Sequence, residues 1–280
     1  MIIVDIMKEM NVKEVQQISL ELLKEVHEFC VENKIKYTLF AGTLIGAIRH
    51  HGFIPWDDDL DIALPRPEYD KFIHSFKSKR GNKLFSREIQ TNDVSLAFAR
   101  FCEMNKTIVI DSHPWTHEDK GVWIDIFPLD GIDKDYYSAQ NRIDKIFDVW
   151  HLGCNIRLSK ASIRFNKSIL LKIRQLFKRI FYFVISIIFK PYDKHIELCK
   201  ELNYKDADFF SNLAWPGWKM REYCPKHVLD DYILVPFEDS YFYVMRGYDE
   251  SLRLKYGDYM QLPPVEKRIA THPFNLFYWK

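Results

Sequence analysis

Four carboxylates stand within five positions, at Asp57, Asp58, Asp59 and Asp61, and the chain turns apolar directly afterwards at Ile62, Ala63 and Leu64. Acids this close repel one another unless a cation or hydrogen-bond donors offset their charge. On an extended strand, residues two apart share a face, so Asp57, Asp59 and Asp61 are expected to point one way while Leu60 and Ile62 pack elsewhere. Asp58 is expected to face away from them. Carboxylates at that spacing can hold a hard divalent cation, Mg²⁺ or Mn²⁺, or a pair of such ions about 3.5–4 Å apart. Three other readings compete. A solvated acidic turn needs no ion. A calcium-binding EF-hand loop fails, because Ile62 stands where the sharp turn requires glycine, and Pro65 and Pro67 interrupt the rest. An Asp-x-Asp pair that binds a sugar nucleotide through a metal stays open on these residues alone.

Residues upstream and downstream narrow the choice. Gly42-Thr43 follows a short apolar segment, "YTLFA", and precedes a helical one, "LIGAIRH". A small pair at a strand-to-helix junction lets backbone N–H groups and a hydroxyl approach a phosphate closely. Asp125 lies between Ile124 and Ile126 in "VWIDIFPLD". Such an acid is costly to bury alone, so a metal or a polar partner is expected, unless it caps a turn. Strand, Gly-Thr, helix, Asp-x-Asp on the next strand and a third acid on a later one is the organisation of the DNA polymerase β-type nucleotidyltransferase fold.

The elements that must carry these groups can be placed by periodicity. Val15, Ile18, Leu22, Val26 and Phe29 recur at helical spacing. "DLDIAL" alternates like a strand, and Pro67 suits the first turn of the helix that follows. Strands are also expected in "VSLAFARFCE", "TIVID" and "GVWIDIFPL", a hairpin in "YILVPFEDSYFYVM", and a last helix ending at Gly257. Strands interspersed with helices argue an α/β or α+β fold with a mixed sheet core. Three regions are expected: a catalytic core over 1–133, a helical insertion over 134–203, and a C-terminal region over 204–280 that packs back on the core.

With those residues in view, "GTLIGAIRHHGFIPWDDDLDIALPRPEYDKF", "VWIDIFPLD", "YGDYMQLPP" and "RIATHPF" resemble the LicD family of phosphotransferases, to which fukutin-type proteins are related. The resemblance implies metal-dependent transfer of a phospho-alcohol from a CDP-alcohol donor to a glycan hydroxyl. For bacterial members this is typically phosphocholine from CDP-choline, placed on teichoic acid, lipopolysaccharide or capsule. By position, Asp59, Asp61 and Asp125 match the family's metal-binding and catalytic acids, and Gly42 and Thr43 match its phosphate-approach turn. Arg49 and Arg100 are candidate phosphate ligands, since a guanidinium pairs bidentately with phosphate oxygens; each could equally be an ion-pair arginine. Asp57 and His272 join them as candidate substrate- or nucleotide-binding residues, and Tyr256 and Tyr259 as residues shaping the pocket. Rival functions are a glycosyltransferase or a true nucleotidyltransferase on a sugar nucleotide, and a non-enzymatic membrane scaffold.

The segment between Asp148 and Asp193 contains no acidic residue and nine Lys or Arg. On a helix, Ile169, Ile173, Leu176, Phe177, Ile180, Val184 and Ile187 line one face, with Lys172, Arg174, Lys178 and Arg179 outside it. A basic amphipathic helix of this kind suits an anionic membrane surface; the competing expectation is a core helix with a solvated basic back. Nucleic acid is not expected as a partner, because the basic residues alternate with aliphatics rather than with stacking aromatics; the net charge of +1 argues neither way. The amino terminus lacks a signal-peptide pattern and five unpatterned cysteines read as reduced thiols. The expected place of work is therefore cytoplasmic, peripheral on the inner membrane face, with a lipid-linked glycan as acceptor.

Overall fold

The computed structural model describes residues 7–89, 96–111, 121–159, 169–270 and 275–280. Helix α1 (Val12–Glu32) starts on a capping box: Glu14 N–H donates to Asn11 Oδ1 at 3.0 Å, and Asn11 N–H donates to Glu14 Oε2 at 2.9 Å. Reciprocal satisfaction of two otherwise unpaired donors fixes the helix start. From there Val15, Ile18, Leu22 and Val26 fall on one buried face.

The central sheet is built from β1 (Thr38–Leu39), β2 (Asp61–Pro65), β3 (Lys83–Phe85), β4 (Ala99–Cys102) and β6 (Trp123–Ile132) in the order β1-β2-β6-β4-β3, while β5 (Thr107–Asp111) lies outside it. The β2–β6 pair is parallel and the other pairs on this path are antiparallel, so the sheet is mixed. Helix α2 (Ala41–His50) links β1 to the acidic loop, and α3 (Arg66–Ser75) follows β2 directly. Both contact β2, and α1 and α3 contact β6. That cover explains why β2 is apolar after Asp61 instead of alternating: Ile62, Ala63 and Leu64 are all buried.

At the far end of β6, the Arg66 guanidinium grips Asp130 at 2.6 and 3.0 Å and Glu88 at 3.0 Å, all buried. Glu88 also pairs with Lys200. This network ties three helices, α4 (Tyr136–Ser159), α5 (Ile169–Phe189) and α6 (Pro191–Cys199), to the core through the end of α6. The chain then forms β7 (Phe209–Ser211) on β6, a 3-10 segment Pro216–Glu222, β8 (Cys224–Pro225), the hairpin β9 (Tyr232–Phe237) and β10 (Ser240–Met245), helix α7 (Tyr248–Tyr256), and β11 (Asn275–Trp279) on β5. The result is the expected α+β fold with a mixed sheet.

Two expectations change. Asp57–Leu60 is a loop, and the strand starts only at Asp61, because pairing with β6 begins at the Asp61–Asp125 register. The alternation argument for Asp57 and Asp59 therefore does not hold. The second is the competing reading of α5 as a core helix: its apolar stripe is exposed, with Phe177 retaining 69% of its accessible surface and Ile187 57%.

Candidate active site

The sheet register assembles the site. Asp61 opens β2 and lies opposite Asp125 on β6, and Arg100 on β4 lies opposite Asp125 from the other side. Asp125 N–H donates to the Leu60 carbonyl at 2.9 Å, extending the pairing one residue into the acidic loop. Arg100 Nε donates to Asp125 Oδ1 at 2.6 Å and its terminal nitrogen to Oδ2 at 3.2 Å. The guanidinium sits 4.6 Å from the Trp123 ring centroid. Asp125 thus has the polar partner its buried position demanded, and Arg100 is used chiefly in orienting that carboxylate.

The loop is held from outside the sheet. Gln16 of α1 donates its amide to the carbonyls of Ile54 at 3.2 Å and Asp57 at 2.8 Å. Those carbonyls are taken by a side chain rather than a neighbouring strand, which gives Asp57–Asp59 a loop conformation. Oxygens of Asp57, Asp58 and Asp59 come within 4.8 Å of one another, so Asp58 joins the cluster instead of facing away. Asp57 and Asp58 are buried and Asp59 is half-buried.

At the β1–α2 junction Ala41 has φ +48°, a left-handed conformation that costs an alanine about 1–2 kcal/mol. Strain of this kind gathers at functional sites. The N-cap residue of α2, Phe40, offers no side-chain cap to the helix's first turn. A methyl group on Gly42 would come 2.8 Å from Asp57 Oδ2, which explains why glycine stands there. Thr43 is buried, and its Oγ1 accepts the Asp61 N–H at 2.8 Å, locking α2 to the start of β2. Thr43→Val leaves that N–H without its acceptor, at about 1–3 kcal/mol. We expect a lower melting temperature and activity reduced about tenfold; a variant indistinguishable from the parent in both would remove Thr43 from the site's support.

These groups border a cavity of ≈350 Å³ lined by Gly42, Asp57, Asp59, Asp61, Arg100 and Asp125 on the sheet side. The opposite wall comes from Trp215, Trp218 and Glu222 of the 3-10 region and from Lys255 and Tyr256 of α7, with Phe40, Phe98 and Phe127 between. Burial raises the Asp61 carboxyl well above the usual carboxylate range, and the charges of Asp59, Asp125 and Asp57 push it further, against the pull of Lys255. Hard oxygen donors crowded until one of them resists ionisation are a donor set that fits a divalent cation. Asp57, Asp58 and Asp59, whose oxygens lie closest together, would hold it with Asp61 at the start of β2 and Asp125 opposite Asp61 in the sheet.

Other expected site residues fall elsewhere or outside the description. The Arg49 guanidinium donates to the carbonyls of Tyr259 and Gln261 and does not line the cavity, so it braces the C-terminal segment. Its phosphate role finds no geometric support. His272 lies outside the described residues. Tyr256 lines the cavity as a pocket residue, whereas Trp215, Trp218, Glu222 and Lys255 went unread in the sequence; the Trp-rich run "NLAWPGWKMREY" was the available signal. Lys255 pairs with Glu222, and its ammonium lies 4.9, 5.1 and 5.2 Å from the ring centroids of Phe40, Trp218 and Tyr256. Burial followed by the charges of Glu222, Asp61, Asp57 and Asp59 raises Tyr256 well above the ordinary phenol range, so it remains a hydroxyl donor.

The sequence profile of the LicD/FKTN/FKRP nucleotidyltransferase domain matches residues 34–152. The lipopolysaccharide cholinephosphotransferase LicD of Haemophilus influenzae is 31% identical over 274 residues, covering 95% of this chain and 97% of its own. The chain belongs to the LicD family. Shorter similarities reach two uncharacterized proteins, one of Rickettsia typhi (48% identical over 74 residues, 25% of this chain and 24% of that one) and one of Rickettsia prowazekii (54% over 44 residues, 16% of each). In this LicD-family chain the matched domain contributes every acid of the cluster together with Arg100. Trp215, Trp218, Glu222, Lys255 and Tyr256 come from beyond it, so the second wall of the cavity belongs to the C-terminal region.

Proposed function

We propose that this LicD-family protein transfers phosphocholine from a CDP-choline-type donor to a hydroxyl of lipopolysaccharide or a related glycan precursor, using a divalent cation at the Asp57–Asp61 cluster. The reading rests on similarity along nearly the whole chain to a lipopolysaccharide cholinephosphotransferase, in a molecule whose cavity gathers acids, an aromatic wall and a buried ammonium. Phosphoryl-type transfer is mostly positioning and charge neutralisation. A divalent cation held there would supply charge neutralisation and Lewis-acid polarisation to the phosphate and the CMP leaving group.

The chain's own groups do the rest. The amino end of α2 borders the cavity at Ala41 and Gly42, where the helix dipole favours a phosphate. Asp125, oriented by Arg100, accepts a hydrogen bond from the incoming hydroxyl and aims its oxygen at the phosphorus. The Lys255 ammonium offers positive charge from the opposite wall. The aromatic rings of Trp215 and Trp218 provide faces for a quaternary ammonium or a nucleobase. We place the reaction on the cytoplasmic side, where a CDP donor is supplied.

The test is incubation with CDP-choline and with UDP-sugars, in Mg²⁺ or Mn²⁺, with lipopolysaccharide as acceptor. We expect CMP release coupled to choline incorporation, both lost in EDTA. UDP release from a sugar nucleotide without CMP release would replace this reading with glycosyl transfer.

A further inference from the structure

We propose that α5 is a membrane-docking helix that lies flat on an anionic lipid surface. Its apolar residues Ile173, Leu176, Phe177, Ile180, Val184 and Ile187 are all exposed, each keeping between 46% and 69% of its accessible surface. At about 100° per residue, they occupy a continuous stripe roughly 100° wide, the width a globular helix ordinarily buries. By spacing, Arg174 and Lys178 run along one flank of that stripe, and Lys172 and Arg179 along the other. Both Arg174 and Lys178 are exposed. Among the described residues, no helix is long and apolar enough to cross a membrane, so α5 lies on the surface rather than spanning it.

Charge decides what covers the stripe. Residues 149–192 contain no Asp or Glu, so a second copy laid against this face would oppose cation to cation. An anionic lipid surface meets the same basic flanks with attraction while its acyl layer takes the apolar stripe. Shape agrees: the stripe is the convex face of one helix, not a groove that would seat a peptide. The helix also has a route to the cavity. It contacts α4, and Trp150 of α4 packs edge-on against Trp215, a cavity-lining residue, at 5.2 Å between centroids. Docking through α5 would therefore hold the aromatic wall close to a lipid-borne acceptor. The binding itself requires no assumption about the reaction.

The experiment is flotation of the full chain with vesicles of pure phosphatidylcholine, or of phosphatidylcholine mixed with phosphatidylglycerol, at low and high salt. We expect binding at least about tenfold tighter to the anionic vesicles, and partly released by salt. Changing Lys172, Arg174, Lys178 and Arg179 together to Glu should weaken it by about 100-fold or more, since each basic residue near such a surface is worth roughly fivefold. Phe177→Ser with Ile180→Ser and Val184→Ser should abolish flotation without lowering the melting temperature, because an exposed stripe supports no core. Hydrolysis of a soluble CDP-alcohol should be unchanged in both variants. Binding indifferent to lipid charge would overturn the proposal, as would serine variants that melt far below the parent. So would a chain that ignores vesicles but dimerises through this face or binds an acidic polypeptide.

Discussion

Asp61→Asn is expected to abolish transfer while leaving the fold intact, and Asp59→Asn to do the same. Each change removes a full negative charge from the cavity with almost no change in volume. Loss of one preorganised electrostatic group typically lowers turnover by about 10²–10³-fold, and a weakened cation site adds to that. The accompanying stability change separates a charge effect from general damage. In the folded chain the Asp61 carboxyl is raised above its unfolded value, chiefly by burial and then by Asp59, Asp125 and Asp57. The folded state therefore holds this proton more tightly than the unfolded one. That contribution is fully present below about pH 4, the unfolded value, and is lost as pH rises through the elevated folded value. Without divalent cation, the parent should melt lower at pH 7 than at pH 5 on account of this group. Asp61→Asn should flatten the trend and melt a few degrees higher than the parent in EDTA. Mg²⁺ or Mn²⁺ should raise the parent's melting temperature more than the variant's. A variant with near-normal turnover and an unchanged response to the ion would remove Asp61 from the cation site.

The parts of this site that the sequence made legible are those with local grammar. Val15 through Val26 announced α1 by period, Pro67 announced the start of α3, and the acid flanked by Ile124 and Ile126 announced a strand residue with a partner. The partner itself was harder. Arg100 faces Asp125 only because β4 and β6 pair in one register, and an arginine in a strand reads equally as a phosphate ligand. Asp57 and Asp59 were placed on a strand because alternation has no way to register Gln16, some 40 residues away, taking the loop carbonyls. Arg49 stood near a phosphate-approach turn in sequence, yet its side chain reaches carbonyls at 259 and 261.

The second wall was less legible still. Glu222 and Lys255 are 33 residues apart, on a 3-10 segment and on α7. In sequence each resembles an ordinary surface charge. Nothing local marks a lysine that will be buried among three aromatic rings beside an acid cluster. Such a residue becomes visible only when two elements meet across a cavity that a third region, the sheet, has supplied.

Replacing that lysine has two separable consequences. Lys255→Met strands the Glu222 carboxylate, which burial already pushes up and Lys255 pulls back. Removing one member of a buried pair costs about 3–5 kcal/mol, so this variant should melt markedly lower, and its activity alone would say little. Lys255→Met combined with Glu222→Gln removes both charges. Buried pairs replaced by neutral groups of similar size are often neutral or stabilising by about 1–4 kcal/mol, so the double variant should recover most of the parent's melting temperature. It should not recover transfer. The cavity then holds four lining acids and no ammonium opposite them, and binding of a diphosphate donor should weaken at least tenfold while free cytidine binds as before. Lys255→Arg with Glu222 intact keeps a cation against the rings and should retain more activity than the stable double variant, even if it packs less well. Titration calorimetry with CDP-choline and with cytidine, alongside melting curves, resolves these outcomes. A double variant that is stable and transfers at the parent's rate would reduce the Lys255–Glu222 pair to a clamp between α7 and the 3-10 segment, and leave donor charge to the cation and the α2 amino terminus.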